Sequence, residues 1–135
     1  MLVWRPMVKR LLLFLILASG LSAQAVKLTP EEFVVKAGVA RYWKFNVSGS
    51  TGRVAGSFRA SGGAHNDIRV LITDSDECEN YINGNRANVF YDSGQKTVGK
   101  IDVRLNQGGY CIIFDNRNSV VSTKEVATQI YLENE

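Results

Sequence analysis

The fold class is decided by one stretch near the C-terminus, Gly108-Gly109-Tyr110-Cys111-Ile112-Ile113-Phe114-Asp115-Asn116-Arg117-Asn118-Ser119. A double glycine precedes an unbroken run of apolar and aromatic residues, and Asp-Asn closes that run. Turn-forming residues bound the run at both ends, and it is too short for a helix. The pattern therefore predicts a turn, a buried central strand and a second turn.

The segments outward from this strand alternate between apolar and polar residues, as half-buried strands do. The clearest alternating segments are residues 39–48, 53–60, 98–105 and 124–132. Gly49-Ser50-Thr51-Gly52 is predicted to be a hairpin loop, and Asn106 to Gly109 a turn. About eight short strands without a convincing amphipathic helix predict an all-β fold, an antiparallel two-sheet β-sandwich of jelly-roll-like form.

The first 25 residues have the pattern of a secretory signal peptide. Arg5, Lys9 and Arg10 precede the apolar run Leu11 to Ala18, and the small-residue cleavage site Ala23-Gln24-Ala25 follows. The apolar run is shorter than the roughly 20 residues that a membrane-spanning helix needs. The sequence therefore predicts a signal peptide at residues 1–25 and one exported domain at residues 26–135, periplasmic or extracellular, without a membrane span. Met7 is an alternative start.

The charge balance of the predicted mature domain is neutral. The chain has 16 Lys+Arg and 13 Asp+Glu. Three of those cations lie before residue 26 and none of the acids does, so the basic character belongs to the signal. A protein that binds nucleic acid needs a clustered basic surface, and we therefore expect no nucleic-acid partner.

Export permits disulfide bonds, and the chain has two cysteines, Cys78 and Cys111. We expect them to pair, because only one intramolecular bridge can form. In the chain-entropy model such a bridge stabilises the fold by roughly 3 to 4 kcal/mol. It would tie down the long loop Asp74 to Asn88, which lacks alternation. Two buried or reduced thiols are the alternative.

The loop between residues 80 and 88 is the predicted ligand-binding segment. It combines amides with an arginine and an aromatic side chain, in Tyr81, Asn83, Asn85 and Arg86. Amides both donate and accept hydrogen bonds, and a tyrosine offers a flat apolar face, which suits a sugar or an extended peptide. Asn and Gly are also ordinary turn residues.

The acidic segment before this loop is the best metal candidate. Asp74, Asp76, Glu77 and Glu79 lie close together in the sequence, and calcium prefers several oxygen ligands from one flexible loop. The spacing fits an EF-hand loop poorly, since Cys78 stands where a further oxygen ligand belongs. A solvated acidic loop is the simpler interpretation, so we predict no metal and no cofactor.

The remaining polar candidates are interpreted as structural. His65 is the single histidine, and neither a nucleophile elbow nor a partner acid accompanies it, so an exposed turn histidine is expected. Asp115 and Asn116 are expected to cap backbone amides in the turn that leaves the central strand.

The block Gly109 to Asn116, followed by Ser119, Lys124 and Val126, resembles the GOLD (Golgi dynamics) domain family, whose pattern ends in a similar order. Gly56-Ser57-Phe58 and Asp67 to Asp74 look like middle strands of that family. The resemblance implies a β-sandwich that works as a protein-interaction module. The family's cargo receptors continue into a coiled coil and a membrane span, so their trafficking role is not transferred. The opening strands also look like the small pre-peptidase C-terminal sandwiches of secreted bacterial enzymes.

Together these features predict an exported binding module without catalytic activity, whose partner is an extracytoplasmic protein. One alternative is a carbohydrate-binding module that uses the loop 80–88. A second is a small secreted hydrolase that uses His65 or the acidic segment.

Overall fold

The computed structural model describes residues 24–63 and 65–135, so nearly all of the predicted signal peptide lies outside the described residues. The elements in chain order are β1 (Val26–Lys27), β2 (Glu32–Val35), β3 (Ala40–Ser61), β4 (Ile68–Asp74), α1 (Cys78–Ile82), β5 (Val89–Lys96), β6 (Val98–Asp115) and β7 (Lys124–Asn134).

The predicted all-β, antiparallel class is confirmed. Seven strands form one hydrogen-bonded sheet in the order β1-β7-β3-β6-β4-β5, and β2 also pairs with β7. Every pairing is antiparallel. The hydrogen bonding is continuous, so the strands form one sheet rather than two separate ones.

Two predicted turns are wrong, because the chain continues through them as strand. The hairpin loop at 49–52 lies inside β3, and the turn at 106–109 lies inside β6. The two segments face each other in the β3–β6 pair, where the register shifts between Val47 and Thr51. Glycine, serine and asparagine occur in β-bulges as well as in turns, so composition does not separate a bend from a reversal.

The side chain of Asn134 completes the hydrogen bonding at this bulge. Its Oδ1 accepts hydrogen bonds from the backbone nitrogens of Ser48 at 2.8 Å and Gly49 at 3.2 Å. These amides lie where the register shifts, so a side chain takes the place of a strand neighbour. The end of β7 therefore stabilises the bend in β3.

The bend divides the sheet into two halves that pack against each other. The first part of β3 pairs with the last part of β6, which β4 and β5 extend, while the rest of β3 pairs with the first part of β6 and with β7. Aromatic rings connect the halves: Phe33 lies 4.6 Å from Trp43 and 4.8 Å from Phe114 between ring centroids. The rings of Phe58 and Phe114 pack edge to face, with their centroids 6.5 Å apart.

The central strand is buried, as predicted, and the structure shows that both of its faces are covered. Ile112 and Phe114 belong to the main core between the halves. Cys111 and Ile113 point to the opposite face and pack with Leu71 in a second, smaller cluster. Two covered faces explain why the run does not alternate.

Helix α1 covers this second face, and it corrects the expectation of an irregular loop over residues 74–88. Five residues are too few for a helical period to be recognised in a sequence. Cys78 is the first residue of α1, and it forms the predicted disulfide with Cys111, with the two Cα atoms 6.3 Å apart.

We predict that Phe114→Ala destabilises the fold by about 3–5 kcal/mol, because it removes a fully buried ring that both halves contact. Urea unfolding measures the change. Val98→Ala is the matched control, since Val98 is 53% exposed and should change stability by about 0.5 kcal/mol or less. Equal urea midpoints for the two variants would contradict a central role for Phe114.

Candidate functional site

Two structural features meet where β6 ends. One is the α1 anchor, the group Cys78, Tyr81, Asp115 and Arg117 that holds the helix to the sheet. The other is the valine loop, residues 117–123, which connects β6 to β7.

The α1 anchor is built around the carboxylate of Asp115. The hydroxyl of Tyr81 donates to Asp115 Oδ2 at 3.0 Å. Arg117 donates from its backbone nitrogen, Nε and Nη2 to the same carboxylate, each at 2.9 Å. The guanidinium of Arg117 also lies 4.9 Å from the ring centroid of Tyr81, a cation–π contact.

Arg117 also secures the last turn of the helix. Its Nη1 donates to the backbone carbonyl of Tyr81 at 3.2 Å and to that of Ile82. These carbonyls lie at the C-terminal end of α1, where a cation is electrostatically favourable. The helix is therefore held by a covalent bond at its first residue and by Arg117 at its last.

The anchor shifts the pKa values of its acidic groups in opposite directions. Burial alone would raise the pKa of Asp115, but hydrogen bonds from Arg117 and Tyr81 outweigh it and hold the pKa below its usual range. Burial raises the pKa of the Tyr81 hydroxyl, and the adjacent negative charge of Asp115 raises it further. The ion pair therefore stays charged and the tyrosine stays protonated near neutral pH.

The predicted ligand-binding residues do not all have the same role. Tyr81 is part of the α1 anchor, with its hydroxyl bonded and one ring face in contact with Arg117. Asn83, Asn85 and Arg86 are exposed beyond the end of the helix. The three exposed side chains can meet a ligand, whereas Tyr81 offers less free ring surface than the sequence suggests.

The candidate calcium ligands do not converge. Asp74 accepts a hydrogen bond from Asn88 Nδ2 at 3.2 Å, Glu77 accepts one from the backbone nitrogen of Asn88, and Asp76 is exposed. Residues 24–63 and 65–135 contain no group of three or more His, Cys, Asp or Glu side chains placed to hold a metal ion. The acidic segment instead supports the loop through Asn88.

His65 is exposed, as expected, and lies near a buried lysine. Lys124 is only 2% exposed, and its Nζ donates to the backbone carbonyls of Gly62 at 3.1 Å and His65. The carboxylate of Asp67 lies 3.8 Å from the same nitrogen. Within the described part of the chain the imidazole of His65 makes no hydrogen bond.

Asn116 has a different partner set from the one predicted. Asp115 does cap a backbone amide, that of Arg117, but Asn116 caps carbonyls instead. Its Nδ2 donates to the carbonyl oxygens of Val35 at 3.1 Å, Lys36 at 3.2 Å and Ser122 at 2.9 Å. One buried amide therefore connects the end of β6, the end of β2 with the residue after it, and the far end of the valine loop.

The valine loop is the feature that sequence reasoning missed. Val120 and Val121 are 86% and 89% exposed, more than any other large apolar side chain that the structure describes. The hydroxyl of Ser119 accepts a hydrogen bond from the Ser122 nitrogen and donates to the Ser122 carbonyl, both at 3.1 Å. Two adjacent valines between two serines, Ser119 and Ser122, were the available signal.

A cleft of about 450 Å³ lies beside this loop. Val120 and Val121 contribute an apolar wall, and His65, Asp67 and Gln95 contribute polar groups. A shallow cleft with both kinds of surface can accept a side chain of a partner.

Comparison with known proteins does not assign the chain to a family. No protein-family model matches it, and no curated protein matches it.

In residues 24–63 and 65–135 there is no helix with the length and apolarity to cross a bilayer. Fold alone does not determine function, because unrelated activities share all-β architectures.

We predict that Asn116→Ala destabilises the protein by roughly 2–4 kcal/mol, because three carbonyl groups lose one buried donor. Urea unfolding measures the loss. Asn118→Ala is the control, since Asn118 is exposed in the same loop and should be close to neutral. A neutral result for Asn116→Ala would contradict its connecting role.

We also predict that acid weakens the α1 anchor. The pKa of Asp115 is lower in the folded protein than the value of about 3.9 in an unfolded chain. Its stabilising contribution is therefore complete above about pH 4 and is lost as the pH falls through the folded-state pKa.

The measurement compares the free energy of unfolding of the parent and Asp115→Asn between about pH 7 and pH 2.5. The difference should be roughly 1–3 kcal/mol at neutral pH and should narrow below about pH 4. Asp76→Asn, at an exposed position, should track the parent throughout. A difference that stays constant with pH would show that the charge of Asp115 does not matter.

Proposed function

We propose that this chain is an exported, non-catalytic binding module that binds a protein partner through the valine loop and the adjacent cleft. The observation that carries the proposal is the pair of adjacent valines at 86% and 89% exposure on a loop with a hydrogen-bonded base. Soluble domains usually bury such residues, and exposed apolar groups side by side are typical of contact surfaces.

The hydrogen bonding of the loop favours a binding role. Asn116 and Ser119 both form hydrogen bonds with Ser122, so the two ends of the valine loop are held together before any partner binds. A preorganised loop avoids part of the entropy loss that binding otherwise requires. Full burial of a valine contributes about 1.5 kcal/mol or more, so the tip can supply about 3 kcal/mol toward a complex.

A protein partner fits this surface better than a membrane. Membrane-surface binding requires a larger apolar area together with free cations. The cations nearest the two valines already have partners within the protein. Arg117 pairs with Asp115, and Lys124 is buried against backbone carbonyls. The polar groups of His65, Asp67 and Gln95 beside the valines match the apolar centre and polar rim of protein interfaces.

Export is supported by the Cys78–Cys111 disulfide, since such bonds persist in oxidising compartments. The N-terminal sequence, which resembles a secretory signal peptide, is consistent with export. The GOLD-like pattern in the sequence also favours an interaction role, and we propose that the chain is a GOLD-like module of the bacterial exported type.

Carbohydrate binding is the second candidate, and the exposure of Asn83, Asn85 and Arg86 favours it. These side chains supply donors and acceptors suited to sugar hydroxyls. The partial cover of Tyr81 by Arg117 weakens the stacking that such a site would use. A hydrolase role for His65 has less support, because the imidazole has no orienting partner among the described side chains.

The test is a quantitative pulldown from the extracytoplasmic fraction of the producing organism, followed by a direct affinity measurement with the retained protein. We predict that Val120→Ser with Val121→Ser weakens binding by about a hundredfold, because it removes about 3 kcal/mol of apolar burial. Fold stability should stay unchanged, since both side chains are exposed.

Val98→Ser is the matched control, because Val98 is an exposed valine outside the loop. It should bind like the parent. Equal affinity for the double variant and the parent would overturn the assignment of the surface. A glycan array with Asn83→Ala and Arg86→Ala tests the second candidate separately, and binding to neutral vesicles that needs both valines would indicate a membrane instead.

A further inference from the structure

The end of helix α1 contains an asparagine followed by glycine, Asn83-Gly84. Gly84 has a φ of 81°, a left-handed conformation that glycine adopts without strain. Its backbone nitrogen donates to the Tyr81 carbonyl at 3.0 Å, and the Asn85 nitrogen donates to the Asn80 carbonyl at 2.8 Å. This pair of bonds is the Schellman motif that commonly ends helices.

The same dipeptide is chemically labile. Glycine has no side chain, so its backbone nitrogen can approach the preceding asparagine side chain closely. Attack of the Gly84 nitrogen on Cγ of Asn83 forms an N–Cγ bond, and the side-chain amide leaves as ammonia. Water then opens the resulting five-membered succinimide at either carbonyl, which yields aspartate or isoaspartate.

The docked helix blocks this reaction in two ways. The hydrogen atom that the Gly84 nitrogen must lose is donated to the Tyr81 carbonyl. The ψ angle of Asn83 is 5°, which places the Gly84 nitrogen beside the backbone nitrogen of Asn83 instead of near its Cβ. Ring closure requires a rotation about this bond, and that rotation breaks the Schellman motif.

We propose that Asn83 is a spontaneous modification site whose reactivity is controlled by the docking of α1. The α1 anchor keeps the site closed, through the Cys78–Cys111 disulfide, the Tyr81 hydroxyl on Asp115 and the Arg117 bonds to the last carbonyls of the helix. Local opening of the helix releases the Gly84 nitrogen without unfolding the sheet.

The product does not restore the closed state. Aspartate places a negative charge at the C-terminal end of the helix, where negative charge is unfavourable. Isoaspartate lengthens the backbone by one atom, which shifts Gly84 and Asn85 out of the positions that the Schellman bonds need. Modification of Asn83 therefore leaves α1 undocked more often and changes the exposed loop that also contains Asn85 and Arg86.

The experiment measures the rate of Asn83 deamidation by peptide mass spectrometry after incubation of the mature protein in mildly alkaline buffer. The oxidised folded protein is compared with the reduced folded protein, with Arg117→Gln and with the urea-unfolded chain. We expect the slowest rate in the oxidised parent, and an increase of about tenfold or more when the disulfide is reduced or Arg117 is replaced. Asn118, which is followed by serine in an exposed loop, is the internal reference in each sample.

Ile130→Val is the matched control, because Ile130 is fully buried in β7, away from α1, and this change lowers global stability by about 0.5–1.5 kcal/mol. Its Asn83 rate should equal that of the parent. An equal rate of Asn83 deamidation in the folded parent and the urea-unfolded chain would show that the docking of α1 does not protect Asn83, and would overturn the proposal. If Asn83 is not deamidated even in the unfolded chain, it is not a spontaneous modification site.

Discussion

The structure depends on the burial of one strand segment on both faces. The last residues of β6 and the following Asn116, residues 110–116, are all buried, so each backbone group there must find a partner inside the protein. The pairing of β6 with β3 on one side and β4 on the other supplies these partners. One face then needs the packing of the other half of the sheet, and the opposite face needs helix α1.

Both candidate features arise where this buried segment reaches the surface. Asp115 and Asn116 are adjacent residues whose side chains hold different parts of the chain in place. Asp115 holds α1 through Tyr81 and Arg117, whereas Asn116 connects the chain after β2 to the valine loop. The helix and the loop are therefore positioned by two consecutive side chains at the end of a fully buried segment, an arrangement that suits a binding surface.

The functional proposal rests on what this arrangement presents to solvent. The valine loop offers apolar area in a fixed position, and the neighbouring cleft adds polar groups. The region around α1 has a different character, because Asp115 and Arg117 are paired with each other and the exposed residues beyond the helix are amides and one arginine. A protein ligand fits the first surface and a sugar the second, so the two proposed ligand classes correspond to two separate surfaces of the same domain.

The amino-acid sequence by itself determined the strand class, the buried run at 110–114 and the disulfide, because each depends on a local pattern or on the small number of cysteines. It also indicated the exposed loop residues Asn83, Asn85 and Arg86. Tertiary structure decided whether the glycine-rich segments at 49–52 and 106–109 reverse or bend the chain, since that choice depends on which strand lies opposite. It likewise decided that Tyr81 supports Asp115 and that Val120 and Val121 remain outside, because burial is set by the packing of distant segments and is not encoded in any short stretch.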